Sequence, residues 1–305
     1  MDLAIRIALY AVLFLAAAAV VCSFIITSYK TYQPFASTPG DYGFAYTPFT
    51  VNGARGAVLS CWYIPATNAR AVLVCSHGIA DSKEGILPAV LPYVTAGFSV
   101  VVYDLRRHHE STGAHCTLGY WETEDLLAIT DHVTSTLAPG MPVCYWGFSL
   151  GATVSLLAAA RRDDITAVIA QSPFVTLRQV VGYYAWHFYR LPPWPVVPLG
   201  LAVTQWRTGM DPDAVDVRRA AARLRATHTL LVGAEEDRQV PLEWLKEIQA
   251  AIGARAQLVV GPYGHTEWTN GQDARASGAT DGMNAEADPM QQAVSFLITA
   301  LAEKR

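Results

Sequence analysis

Charge is scarce in this chain. Lys, Arg, Asp and Glu together make up 16% of its 305 residues, and the formal net charge is −4. With no basic excess, there is no electrostatic basis for a nucleic-acid partner. Cysteine is sparse as well, with 5 residues and no Cys-x-x-Cys spacing, so a zinc or dithiol redox signature is absent. Cys61, Cys75 and Cys144 fall in apolar, strand-like runs, where a thiol behaves as a small hydrophobe. The chain also lacks internal repeats and heptad periods, which excludes solenoids and coiled coils. What is abundant is apolar surface. At 52% hydrophobic residues, the chain can build one sizeable domain core and is not disordered.

The first apolar segment stands apart. From Ile7 to Ile26, "IALYAVLFLAAAAVVCSFII" carries no charge, and about 20 apolar residues suffice to cross a bilayer as a helix. The run continues past its alanines, longer than the apolar region of a secretory signal peptide, so an uncleaved single-pass membrane anchor over 1–29 is expected. Cys22 does not follow a lipoprotein pattern, because Val21 stands where a small residue is required. Arg6 on one side and Lys30 on the other favour the amino terminus inside and the bulk of the chain on the extracytoplasmic side.

A polar linker over 30–42 leads into a domain over 43–305, where valine-rich apolar runs alternate with helical patterns. "AVLVCSHG" (71–78), "FSVVVYDL" (98–105), "PVCYWGFS" (142–149), "ITAVIAQSP" (165–173), "HTLLVGA" (228–234) and "AQLVVGP" (256–262) read as strands buried on both faces of a parallel sheet. "GAVLSCWYIP" (56–65) reads as an earlier, partly exposed strand. Helical candidates begin near Gly119, Ser149 and Pro241, and "DPMQQAVSFLITALAEK" closes the chain. This alternation predicts an α/β fold with helices on both faces of the sheet. From 174 to about 216 the rhythm breaks into an aromatic, proline-rich stretch, the length and composition of a cap inserted over a site. Its Tyr183, Tyr184, Trp186, Phe188 and Trp194 are candidate substrate contacts.

"GFSLG" (147–151) joins a strand to a helix. Chance supplies Gly-x-Ser-x-Gly in roughly one chain in ten of this length, so placement must decide its meaning. A strand–serine–helix junction is the context of a nucleophile elbow, with Gly147 and Gly151 leaving room where the two elements approach. The helix start directs free N–H groups and a positive dipole end at Ser149. A serine hydroxyl needs a base and an orienting acid. Of 8 histidines, His265 alone follows the last strand, at the sheet edge where chemistry gathers, in the chain order Ser…Asp/Glu…His. His228 precedes its strand, His108, His109 and His115 follow an earlier one, and His132 and His187 sit in helix or cap. For the acid, Glu235, Glu236 and Asp237 all lie past their strand; Asp237 is chosen, with Glu236 second.

In their order, "SHGIADSKEG", "VVYDLRRHHES", "GYWETEDLLA", "GFSLGA", "GAEEDRQVP" and "GPYGHTEW" resemble an α/β-hydrolase-fold serine hydrolase. The likeness is to the serine-aminopeptidase-like and monoacylglycerol-lipase-like branch, which has membrane-anchored members, and it covers about Phe44 to the end. The resemblance implies a mostly parallel eight-stranded sheet with Ser149 as nucleophile, Asp237 as acid and His265 as base. It also implies an oxyanion hole from the backbone N–H groups of Ile79 and Leu150. The chain departs from the family at Arg106-Arg107-His108-His109, where the family reads Arg-Gly-His-Gly; these basic side chains are expected on a solvated loop face at the site rim. The absence of His-Gly-Gly-Gly argues against the hormone-sensitive-lipase-like branch. "NGQDARASGATDGMNAEADP" after His265 reads as a flexible loop. The expected activity is cleavage of an ester of a small or lipid-like apolar acyl substrate, without metal or organic cofactor. An amidase or peptidase on the same triad and a silent binding protein at the membrane are the alternatives, and the oligomeric state is open.

Overall fold

The computed structural model describes residues 3–31, 37–224, 227–262, 264–265 and 289–303. The polar insert read after His265 lies outside the described residues up to Pro289, as does part of the linker, residues 32–36. The chain opens with α1 (Leu3–Thr27), 25 residues long with a mean hydropathy of 2.7 in its most apolar window. By length and composition it can cross a membrane.

Eight strands form one sheet: β1 (Thr47–Asn52), β2 (Val58–Ile64), β3 (Val72–Ser76), β4 (Ser99–Tyr103), β5 (Val143–Phe148), β6 (Ile165–Gln171), β7 (His228–Ala234) and β8 (Ala256–Gly261). Their spatial order is β1-β2-β4-β3-β5-β6-β7-β8. β1–β2 and β2–β4 pair antiparallel and every other neighbouring pair is parallel. The continuous valine-rich runs are explained by burial on both sides. Val72, Val74, Val101, Tyr103, Val143 and Tyr145 point into one core, and the alternate residues Leu73, Cys75, Val100, Val102, Cys144 and Trp146 into the other. β1 is a strand that the sequence pattern did not separate, because its edge position leaves most of it exposed.

Helices cover both faces. α3 (Tyr120–His132), α4 (Leu150–Ala159), α7 (Val217–Ala221) and α8 (Leu242–Ile252) contribute to the first core, and α2 (Leu87–Thr95) and α9 (Pro289–Glu303) to the second. α2 has no clear apolar period and holds two prolines, at 88 and 92, which masks it in the sequence. Between β6 and β7 the segment 174–216 carries α5 (Leu177–His187) and α6 (Pro193–Thr208). α1 packs along α6: Ala19 and Cys22 lie against Gly200, where a Cβ would collide with the Cys22 side chain, and Arg207 Nη1 donates to Ser23 Oγ at 2.7 Å.

The loop after β4 corrects one expectation. Arg106 is not on a solvated face; it is 3% exposed and holds Asp125 of α3 through two hydrogen bonds of 2.7 Å. Its second nitrogen also donates to Ala54 O at 2.9 Å. His108 is fully buried as well. Arg107 and His109, which replace the family's two glycines, keep a left-handed backbone with φ of 64° and 39°. The turn that glycine would make freely is therefore made here under strain, held by the buried Arg106–Asp125 pair. Arg106→Met leaves the Asp125 carboxylate buried without its cation, a loss of about 3–5 kcal/mol. We expect this as a lowered unfolding midpoint, largely restored in Arg106→Met/Asp125→Leu; an unchanged midpoint in the single variant contradicts it.

Candidate active site

Ser149 stands between the end of β5 and the first turn of α4, with φ 52° and ψ −114°. Only a tightly packed junction holds a non-glycine residue there. Two close approaches define it. A Cβ on Gly151 would run into the carbonyls of Ser76 and His77, and one on Gly147 into the Gly151 backbone. Ser149 N donates to Gln171 O at 2.8 Å, tying the turn to β6. The hydroxyl thus sits at the carboxyl edge of the sheet, beside the amino end of α4.

His265 follows β8 and reaches back over β7 and β6 to the serine. Its Nε2 is 3.2 Å from Ser149 Oγ and its Nδ1 is 2.7 Å from Asp237 Oδ2. With Nδ1 donating to the carboxylate, Nε2 is left to accept the serine proton. The ring packs on Phe148 at 5.0 Å between centroids. Asp237 follows β7 with its side chain 1% exposed, whereas Glu235 and Glu236 face solvent. Its Oδ1 accepts from the Gln239 and Val240 N–H groups at 2.8 Å each. Burial alone would push the Asp237 carboxyl up, but His265 and these two N–H groups outweigh it and hold it below the usual aspartate range.

Ser172, which the sequence pattern did not single out, completes the acid's surroundings. It follows β6 with φ 49° and donates its hydroxyl to Asp237 Oδ2 at 2.9 Å. Its position just past a central strand, next to the serine strand, was the available signal.

Ile79 and Leu150 both border the serine on one cavity. Among the described residues, no acceptor is paired with either N–H. The loop that carries Ile79 is fixed by two buried histidines. His77 accepts from Leu105 N at 2.9 Å through Nε2 and donates to Gly78 O at 2.6 Å through Nδ1. His108 accepts from Ala80 N at 3.1 Å and donates to Arg106 O at 2.9 Å. Burial pushes both imidazoles down, His77 far down, so they stand neutral with one donor and one acceptor nitrogen each. These two rings hold the backbone; they do not face the serine.

The cavity over Ser149 has a volume of about 600 Å³. Of the five cap aromatics singled out in the sequence, Tyr184 and Trp194 line it; Tyr183, Trp186 and Phe188 do not. Tyr183 instead stacks on His187 at 3.9 Å and donates to Arg238 O at 3.1 Å. Part of the wall comes from a segment the sequence kept separate: Leu15, Ala18, Val21 and Cys22 of α1 line the same cavity. No Asp, Glu, Lys or Arg borders it among the described residues.

Away from this cavity, Asp104, His109 and Glu110 bring ligand atoms together closely enough for a metal ion. Lys83, fully buried, already occupies that cluster, 2.6 Å from Asp104 Oδ2 and 2.7 Å from Glu110 Oε2.

Residues 67–213 match the family model described as serine aminopeptidase, S33, and residues 204–281 the one described as TAP-like protein. The Bacillus subtilis (strain 168) protein YqkD is 27% identical over 156 residues, 50% of this chain and 51% of the relative. The human Protein ABHD12B is 28% identical over 196 residues, 62% of this chain and 52% of the relative. The chain spans about half the length of these curated relatives. The solved structure of the Pyrococcus furiosus esterase Pf2001 superposes with a TM-score of 0.68 at 20% identity, covering 88% of this chain and 98% of that one. Two family models matched in sequence order and a mostly parallel eight-stranded sheet shared with solved structures show that the chain has the α/β-hydrolase fold.

Proposed function

We propose that this chain is a serine hydrolase that cleaves esters carrying an apolar acyl group, held at a membrane by α1. The observation that carries the reading is the continuous relay Asp237–His265–Ser149, with its two links of 2.7 and 3.2 Å. His265 takes the hydroxyl proton as Ser149 Oγ bonds to the acyl carbon. The negative charge that develops on the carbonyl oxygen falls to the N–H groups of Ile79 and Leu150, each fixed donor being worth about 3 kcal/mol in related chemistry. His265 then gives its proton to the departing alcohol, and water, deprotonated by the same imidazole, releases the acid and restores Ser149. Asp237 keeps the ring in the required tautomer and balances its positive charge. The superposed Pyrococcus furiosus protein is an esterase, which agrees with this chemistry.

The serine aminopeptidase description of the matching family model raises a peptidase as second reading. A peptide's free ammonium group calls for a buried carboxylate facing the substrate. The cavity lining offers none among the described residues, which favours an uncharged acyl group.

Three variants test the assignment. Ser149→Ala is expected to lose labelling by a fluorophosphonate and about 10⁵-fold or more of the ester turnover. Asp237→Asn is expected to lose about 10³–10⁴-fold, while Glu236→Gln stays near wild type. Labelling of Ser149→Ala at the wild-type level, or near-normal turnover by Asp237→Asn, overturns it.

The depressed Asp237 pKa also fixes the sign of a pH effect. The unfolded chain takes up this proton at a higher pH than the folded one. The stability Asp237 contributes is therefore complete above about pH 3.9, the ordinary aspartate value, and is lost as pH falls through its lower folded pKa. Thermal melts between about pH 5 and about pH 2 are expected to fall less steeply for Asp237→Asn than for wild type. Parallel curves contradict the coupling.

A further inference from the structure

The free part of α1 is too short to cross a bilayer on its own. Residues 3–14 are exposed throughout, and from Leu15 onward one face of the helix packs on the hydrolase while Val20, Val21, Phe24 and Ile25 stay exposed. At about 1.5 Å per residue the free stretch is about 18 Å long, against a hydrocarbon core of about 30 Å. If α1 spans, the missing length comes from its second half, the half packed on α6. The two helices run in the same direction: Gly200 meets Ala19 and Cys22, and Arg207 meets Ser23 and Thr27 further on. The beginning of α6 therefore lies toward the free end of α1, at the depth of the acyl chains.

The cap is built for that position. Among its exposed side chains are Trp186, Phe188, Leu191, Trp194 at 79% and Trp206 at 85%. Such a cluster is costly against water and ordinary at a membrane interface. Between 174 and 208 the chain holds no Asp or Glu, and of its three arginines Arg178 is paired with Asp213, which leaves Arg190 and Arg207 for phosphate headgroups. Arg207 sits beside Ser23 and Thr27 with its guanidinium 3.7 Å from the Phe24 ring centre. That places a cation near the end of the apolar run, where a long side chain reaches headgroup level.

The cavity joins this surface to the serine. Phe14, Leu15, Ala18 and Val21 of α1 and Trp194 of the cap line the same cavity as Ser149 and Leu150. Its volume of about 600 Å³ falls within the usual range for a bound small molecule, about 300–1,000 Å³. We propose that the cap is sunk into one leaflet, and that the cavity opens sideways into the bilayer between α1 and the start of α6, so that the substrate is a membrane lipid whose acyl ester reaches Ser149 without passing through water. In this arrangement α1 is one wall of the acyl-binding site. The proposal rests on the reading of Ser149 as nucleophile and of α1 as a span.

The full chain in phosphatidylcholine vesicles tests it in two ways. A bimane label on Trp194→Cys is expected to be quenched by lipids spin-labelled on the acyl chain and protected from iodide; quenching by iodide alone overturns the depth. Ala18→Trp narrows the α1 wall. It is expected to lower the ratio of p-nitrophenyl palmitate to p-nitrophenyl butyrate turnover by about tenfold, the discrimination carried by about two buried methylenes. An unchanged ratio, with fluorophosphonate labelling of the variant retained as proof of folding, overturns the wall. Absence of labelling in wild type would sink the serine reading instead, and the bimane depth is read independently of it.

Discussion

Everything at the site depends on one close approach, that of Gly151 to the carbonyls of Ser76 and His77. β3 and β5 are neighbours in the sheet, and their carboxyl ends are brought so near that α4 can start only without a side chain at its second residue. That crowding sets the backbone of Ser149 at φ 52° and turns its hydroxyl out of the sheet. It also brings the loop after β3, with Ile79, alongside Leu150. The strain is tolerated because both strands are buried on two faces and cannot move apart without opening two cores.

Neutral polar groups then hold the surrounding loops. His77 and His108 act as buried backbone clamps, each with one donating and one accepting nitrogen. A charged imidazole could not satisfy either arrangement, because an acceptor nitrogen is required in both. On the acid side, Ser172 and two backbone N–H groups saturate Asp237, which leaves its carboxylate a single remaining task toward His265. The site is organised by groups that never touch the serine.

The fold was largely legible in the sequence because parallel strands buried on both faces leave unbroken valine-rich runs, and the elbow because its glycines fall at a strand-to-helix junction. Chain order and strand ends single out Ser149 and His265 but leave Glu235, Glu236 and Asp237 open as the acid, and it is the Asp237 side chain that meets His265. Less visible were features that depend on three-dimensional company. Arg106 looks like a surface residue until Asp125 of α3 is placed against it. Ser172 has no signature beyond its place just past a central strand. The cap aromatics share one composition, yet only packing separates Tyr184, on the cavity, from Tyr183, turned toward His187 and Trp244. Least legible was the role of α1, since an apolar helix reads the same whether it is bare or has a neighbour.

The seat of Cys22 against Gly200 has a consequence for how such chains can be altered. An anchor that only tethers is exchangeable for any apolar helix of the same length. Here the small residues Ala18, Ala19 and Cys22, the hydroxyls that receive Arg207 and the bare face of Gly200 form a matched surface. Replacing the helix with an unrelated apolar one, or cutting it away, would strip a wall from the cavity and expose the apolar face of α6. α1 and the domain it precedes are parts of one folded object, and a substitution on either face of their contact is felt by the other.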